Sequence, residues 1–161
     1  MSASFNRIDL SEKGWAEYQA LRERELIVSA DYYKISGKGL FVGEEVKVGQ
    51  LVVEFTGERL SIKQADKLYY KKYLMILRHE AIDSINGGVA RYINHSCRPN
   101  AYFRIIKLEG EEEKEVVFVY AKRDIKVGEE LTVYYEWPFV AGLAFEDCNC
   151  GVHGCPKYIG L

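Results

Sequence analysis

Residues 91 to 100 read Arg91-Tyr92-Ile93-Asn94-His95-Ser96-Cys97-Arg98-Pro99-Asn100. No other stretch of the chain gathers so many side chains with chemical uses. Arg91 supplies a fork of donors, Asn94 and His95 both give and accept hydrogen bonds, and Cys97 offers a thiol to a metal. Pro99 disfavours helix at the residue before it, so the segment reads as a short loop or a single helical turn. Polar groups at this density either face water in an exposed turn or, when buried, each need a partner. A buried donor or acceptor without one costs about 1–3 kcal/mol.

Working outward, Cys97 is one of four cysteines, and the other three, Cys148, Cys150 and Cys155, lie in the last 14 residues. No apolar run approaches the roughly 20 residues that span a bilayer, and the opening MSASFNRIDL lacks the apolar core of a signal segment. A reducing intracellular compartment is therefore expected, where cysteines act as thiols or metal ligands rather than disulfides. Three tail thiolates this close share one tetrahedral ion, and Zn²⁺ needs a fourth ligand. Cys97 would complete a Cys₄ site and pin the tail against the central loop. His153 is the alternative fourth ligand, although it sits inside the spacer between Cys150 and Cys155, where the chelate closes under strain. A tail with three free thiols and no metal is the remaining alternative. Four cysteines would leave no open coordination position, which makes such a zinc structural.

The 161 residues suffice for one domain with a single core, and 48% apolar with 29% charged residues is a globular balance. A net charge of −2 gives no basic footprint for a phosphate backbone, so direct nucleic-acid binding is not expected, nor is a membrane partner. Ser11 is positioned to cap a helix reaching about Arg24, followed by short strands over Glu25–Ala30 and Tyr32–Ile35. Strands are read over Leu40–Val42, Gln50–Thr56, Tyr73–Leu77, Ala81–Ile82, Ala101–Leu108, Glu115–Ala121 and Leu131–Tyr135. Ser61 caps an insert helix through about Lys72, within an insert of about 61–80, with Ile62, Ala65, Leu68 and Tyr69 on its buried side. EGEEEK joins two of the strands as a solvated acidic tip. Many short strands, little helix and no alternation of strand and helix give a mostly β fold with a few helices (α+β), built of small curved sheets.

Taken together, these pieces resemble the SET domain family of protein-lysine methyltransferases. Gly37-Lys38-Gly39-Leu40-Phe41 is similar to the family's G-x-G-L-F, and Glu54-Phe55-Thr56-Gly57-Glu58 to its E-Y-x-G-E. Ala90 to Asn100 matches A-R-F-I-N-H-S-C-x-P-N almost residue for residue. Arg123-Asp124-Ile125 with Gly128-Glu129-Glu130-Leu131-Thr132 resembles R-D-I-x-x-G-E-E-L-T, and the tail resembles a post-SET zinc segment. The chain departs from the pattern at Gly88, where Asn or Ser is frequent, and at Val133 and Tyr134, which stand in the first two places of Y-D-Y. The segment after Asp83 is one residue short, and no cysteine-rich pre-SET region is visible.

The resemblance implies a SET domain over 32–137, flanked by an N-terminal helix and strand segment at 1–31 and a post-SET zinc tail at 138–161. It implies a C-terminal pseudoknot, in which the last strand threads a loop near Asn94–Cys97. It also implies S-adenosylmethionine as methyl donor, with a lysine entering from the opposite face, and transfer of the methyl group to the lysine ε-nitrogen. Lys38, Gly39, Leu40, Tyr73, Arg91, Asn94 and His95 would hold the donor, several through main-chain groups. Tyr135 would orient the amine, with Tyr73 lining the channel. A histone tail peptide is the expected substrate, with nuclear or chromatin-associated localisation and a monomer as the default state. A donor- or peptide-binding module without turnover, and an enzyme acting on a non-histone protein, are the alternatives. Because the first aromatic of Y-D-Y helps set channel width in relatives, the resemblance carries no methyl number to this chain.

Overall fold

In the computed structural model, the described residues are 26–29, 37–108, 114–135 and 146–159. The expected helix from Ser11 to Arg24, the strand Tyr32–Ile35 and the acidic tip at 109–113 lie outside them. The described residues form two compact units interleaved along the chain. One takes residues 51–91, 103–108 and 114–120; the other takes 26–29, 37–50, 92–102, 121–135 and 146–159.

The first unit holds two three-stranded sheets. Strand β3 (Leu51–Phe55) pairs antiparallel with β9 (Lys114–Ala121), which lies between it and β8 (Ala101–Leu108). Val116, Val117, Phe118 and Val119 are all buried, so β9 is covered on both faces, as its unbroken apolar run requires. Ile106, Val116 and Phe118 form a cluster, and Phe55 meets Phe103 edge to face at 5.9 Å. The second sheet places β6 (Glu80–Asp83) between β4 (Glu58–Ser61) and β5 (Leu74–Ile76), both antiparallel to it. The loop after β6 packs tightly on the β3–β4 connection at Gly87: a Cβ there would lie 2.0 Å from the Thr56 carbonyl oxygen. That oxygen already accepts the hydroxyl of buried Ser84 at 2.7 Å.

The insert helix is much shorter than its sequence suggests. Helix α1 runs only from Ile62 to Asp66, although Ser61 and Gln64 do form the reciprocal capping box that its start predicts. Lys67 and Leu68 then donate to the carbonyls of Gln64 and Ala65, three residues back, and the turn closes. Two forces explain the stop. Tyr69, counted on the buried stripe, is fully exposed, which leaves Ala65 as the one fully buried side chain of the turn, and a short helix with so narrow a buried face has little to hold it. Lys63, Lys67 and Lys71 also repeat like charge at a spacing of four, which disfavours further turns.

The second unit is assembled from shorter pairings. Strand β1 (Leu26–Ser29) runs antiparallel to β2 (Gly39–Val42), all four of whose residues are buried. A 3₁₀ turn over Val89–Tyr92 leads into β7 (Asn94–His95), which pairs parallel with β10 (Thr132–Val133). The expected strand Leu131–Tyr135 is thus cut to Thr132–Val133, because its partner is only two residues long. Strands β11 (Glu146–Asp147) and β12 (Tyr158–Ile159) pair antiparallel across the tail. Leu40, Val42, Val46, Ile93, Ile125, Leu131 and Val133 fill this core.

Asn100, only 2% exposed, holds β10 in place. Its side-chain amide donates to the Glu130 carbonyl at 2.8 Å, and its oxygen accepts the Thr132 N–H at 2.8 Å. Replacing it by alanine strands one donor and one acceptor in the core. Asn100→Ala is expected to lower unfolding stability by about 2–4 kcal/mol, read from the urea midpoint at unchanged m-value. Asn100→Asp, which keeps only the acceptor, should fall short of wild type as well.

Candidate functional site

In the second unit, a glycine-bounded loop, the central loop and the last strand converge. Gly37 has φ +53 and nothing near its Cβ position, so the loop turns there with open space on that side. Asn94 donates its side-chain amide to the Lys38 carbonyl at 3.1 Å and to Glu130 Oε1 at 2.8 Å. A Cβ on Gly39 would lie 2.6 Å from that same carboxylate oxygen, so any larger residue there would have to push the Glu130 carboxylate away from Asn94. Leu131 N–H donates to the Leu40 carbonyl at 2.7 Å, and Lys38 Nζ sits 5.3 Å from the centre of the Tyr92 ring. Glu130, 9% exposed, is thus the brace between the two loops. Sequence reading assigned it no role, since paired carboxylates behind a Gly turn look like a solvated turn. The Lys38–Leu40 main chain is thus held by Asn94 on one side and by Leu131 on the other.

His95 is 3% exposed. Its Nδ1 accepts the Tyr135 N–H at 3.0 Å, and its Nε2 lies 3.5 Å from Cys97 Sγ. The ring is packed against Tyr134 and Tyr135, at centroid distances of 5.0 and 5.4 Å. Burial pulls its pKa below the ordinary imidazole value. The Tyr135 hydroxyl donates to the Ile93 carbonyl at 2.6 Å, which fixes the end of the side chain as well as its base.

The sulfurs of Cys97, Cys148, Cys150 and Cys155 all lie within 4.8 Å of one another. Cys97 Sγ is 3.8 Å from Cys148 Sγ and 3.5 Å from Cys155 Sγ. Zinc–sulfur bonds of about 2.3 Å in a tetrahedron set sulfurs about 3.8 Å apart, so this donor set fits one Zn²⁺. Turns with positive φ at Gly151 and Gly154 fold the tail around the cluster, and Cys148 N–H donates to the Lys157 carbonyl at 2.8 Å. His153 is exposed and not among the converging ligands. Burial pushes the Cys97 and Cys148 thiols up from their ordinary values. At Cys150 burial acts in the same direction, but backbone N–H groups of Cys97 and Val152 outweigh it and bring the thiol to about 7.

Lys38, Gly39, Leu40, Asn94, His95 and Tyr135 therefore share one unit with the cysteine cluster. Arg91 and Tyr73 belong to the other unit. There, Arg91 Nη1 donates to the Gly87 carbonyl at 2.5 Å. The Tyr73 carbonyl accepts the Ser84 N–H at 3.0 Å, and its ring meets Tyr70 at 6.2 Å and Lys72 Nζ at 5.7 Å.

Comparison with known proteins gives a family and relatives. The SET domain model matches residues 37–136. The chain is 35% identical over 135 residues to the histone-lysine N-methyltransferase ASHH3 of Arabidopsis thaliana, covering 78% of this chain and 36% of that protein. It is 34% identical over 159 residues to the H3 lysine-4 specific histone-lysine N-methyltransferase of Schizosaccharomyces pombe, covering 92% and 17%. Against histone-lysine N-methyltransferase 2B of Homo sapiens it is 32% identical over 134 residues, covering 78% and 5%. It thus spans little more than a third, at most, of the length of these relatives.

In metal-free protein the Cys97 and Cys148 thiols, raised by burial, stay protonated at neutral pH, so zinc must displace their protons to bind. Zinc affinity should therefore rise with pH and fall progressively on acidification. Competition with a chromogenic chelator across a pH series checks it; the expected content at high pH is one zinc per chain. Cys97→Ser should weaken the metal at every pH.

Proposed function

This chain belongs to the SET domain family, and on that premise we propose that it is the catalytic part of a protein-lysine N-methyltransferase acting on a histone tail. The observation that carries the reading is the convergence of the Lys38–Leu40 loop, Asn94 and Tyr135 around the paired strands β7 and β10. S-adenosylmethionine would supply a sulfonium methyl, which passes to a lysine nitrogen lone pair while the bonding electrons stay on sulfur.

In-line transfer asks the protein mainly for alignment, which lowers the entropic part of the barrier. The main chain at Lys38, Gly39 and Leu40 would meet the donor, with Asn94 holding that loop and Glu130 bracing it. His95 would contribute by main-chain groups, and Arg91 as a ligand contact or as the anchor of its own loop. With its proton given to Ile93, the Tyr135 hydroxyl offers oxygen to an amine N–H and so points the nitrogen lone pair along the transfer axis. Tyr73 would line the channel with an aromatic face that favours a cationic substrate. The lysine must be neutral to attack, and a dry channel lowers its pKa towards that state. Zinc, held by the four cysteines, would order the tail beside the site.

The substrate class rests on the relatives, whose printed names are histone-lysine methyltransferases. The four glutamates from Glu109 to Glu113 suit a basic peptide, whereas Glu115 is buried; a nuclear or chromatin-associated setting follows from that substrate. No helix among the described residues is long and apolar enough to cross a membrane. Val133, fully buried, stands where an aromatic helps set channel width in relatives, so the number of methyls is measured rather than assigned.

Labelled methyl should pass from S-adenosylmethionine to a histone lysine, and Tyr135→Phe should lower kcat by roughly a hundredfold with donor affinity kept. Mass spectrometry of the product names the lysine and the methyl number. Zinc-loaded protein that binds donor yet labels no histone would overturn the histone assignment.

A further inference from the structure

His95 is buried between two functional regions, and the orientation of its ring is fixed by geometry alone. Nδ1 faces the N–H of Tyr135 at 3.0 Å. A backbone N–H only donates, so Nδ1 must carry its lone pair there, and the single ring proton then sits on Nε2. Nε2 lies 3.5 Å from Cys97 Sγ. A sulfur that ligates zinc is a thiolate, an acceptor for which an N–H is the natural partner. The ring therefore donates to a zinc ligand with one nitrogen and holds the backbone of Tyr135 with the other. Only two residues separate His95 from Cys97 along the chain, but 40 separate it from Tyr135, so the ring closes a long-range link.

We propose that His95 is a positioning residue: its Nε2–H donates to the Cys97 sulfur of the zinc site and its Nδ1 fixes the Tyr135 backbone, so metal occupancy sets the placement of the catalytic tyrosine. This rests on the reading of Tyr135 given above. Metal ligands are commonly oriented by such outer hydrogen bonds, and losing one typically weakens metal binding by 10–100-fold. Here the same bond has a second end at the reacting site. A packing role alone would ask only for a flat ring of this size between Tyr134 and Tyr135.

Two substitutions separate the two ends. His95→Asn places an amide oxygen where Nδ1 accepts, but has nothing at the Nε2 position. His95→Gln reaches the sulfur with its amide N–H, but has no acceptor near Tyr135. Zinc release into excess chelator should be about tenfold faster in His95→Asn and close to wild type in His95→Gln. Conversely, the Tyr135 amide resonance should move in His95→Gln, and kcat for methyl transfer should fall with donor affinity kept. A direct readout needs no variant: in protein loaded with ¹¹³Cd in place of zinc, the metal should correlate through the hydrogen bond with the His95 Nε2 proton. Absence of that correlation, or equal loss of zinc and of kcat in both variants, would overturn the proposal. The cadmium correlation and the zinc-release rates need no turnover, so they decide the role of His95 even if wild-type protein transfers no methyl. That last result would count against the methyltransferase reading instead.

Discussion

The second unit depends on a two-residue parallel pairing, Asn94 with Thr132 and His95 with Val133. Parallel strands this short have little stability of their own, since each ladder bond contributes only about 1 kcal/mol net. Buried side chains complete the joint. Asn100 satisfies the backbone of Glu130 and Thr132, Ser96 N–H donates to the Val133 carbonyl at 2.9 Å, and the Tyr135 hydroxyl reaches back to Ile93. Each bond ties the residues after Ala121 to the central loop. Without them neither segment would have a defined neighbour.

From that joint the chemistry radiates in three directions. Asn94 turns its side chain to the Lys38 loop, His95 turns its ring to Tyr135 and Cys97, and Cys97 joins the tail cysteines. Three consecutive tasks thus fall on residues two or fewer apart in sequence. This explains why the segment is so dense in polar side chains yet largely buried: the groups are partnered by distant parts of the chain rather than by water. The tail is the part that a bound metal would order most. Its two-residue strands and turns of positive φ give it almost no apolar core, and Cys148 is its one buried apolar side chain among the described residues.

Much of this was legible in the amino-acid sequence, and the parts that were not fail for identifiable reasons. Strand β9 emerges from the unbroken apolar run Val116–Ala121, and β3 and β8 from five- and eight-residue stretches rich in β-branched and aromatic side chains, where burial on one or both faces leaves a clear pattern. Strand β4 escapes because Arg59 and Leu60 alone carry too short a pattern, and β10 shrinks because the sequence of Leu131–Tyr135 does not say how short its partner is. The insert helix is overextended by counting Tyr69 as buried when it is fully exposed. At the site, residue types and spacing pick out the cysteines that the structure brings together, and the family pattern is what singles out Tyr135 and the Lys38 loop for the proposed roles. Neither reveals that Glu130 lies against Gly39, nor which nitrogen of His95 faces which neighbour. The Glu130–Gly39 and His95–Tyr135 approaches join residues 91 and 40 positions apart, which periodicity does not encode.

The central claim is that the pairing of β7 with β10 builds the donor site. Amide hydrogen exchange of the zinc-loaded protein, with and without S-adenosylhomocysteine, tests it most directly. The expected result is slow exchange at Ser96, Thr132 and Tyr135 in the free protein, with protection at residues 38–40, 94–96 and 131–135 rising together when the ligand binds. Fast exchange at Thr132 and Tyr135, or protection that rises elsewhere and leaves these three segments unchanged, would contradict it.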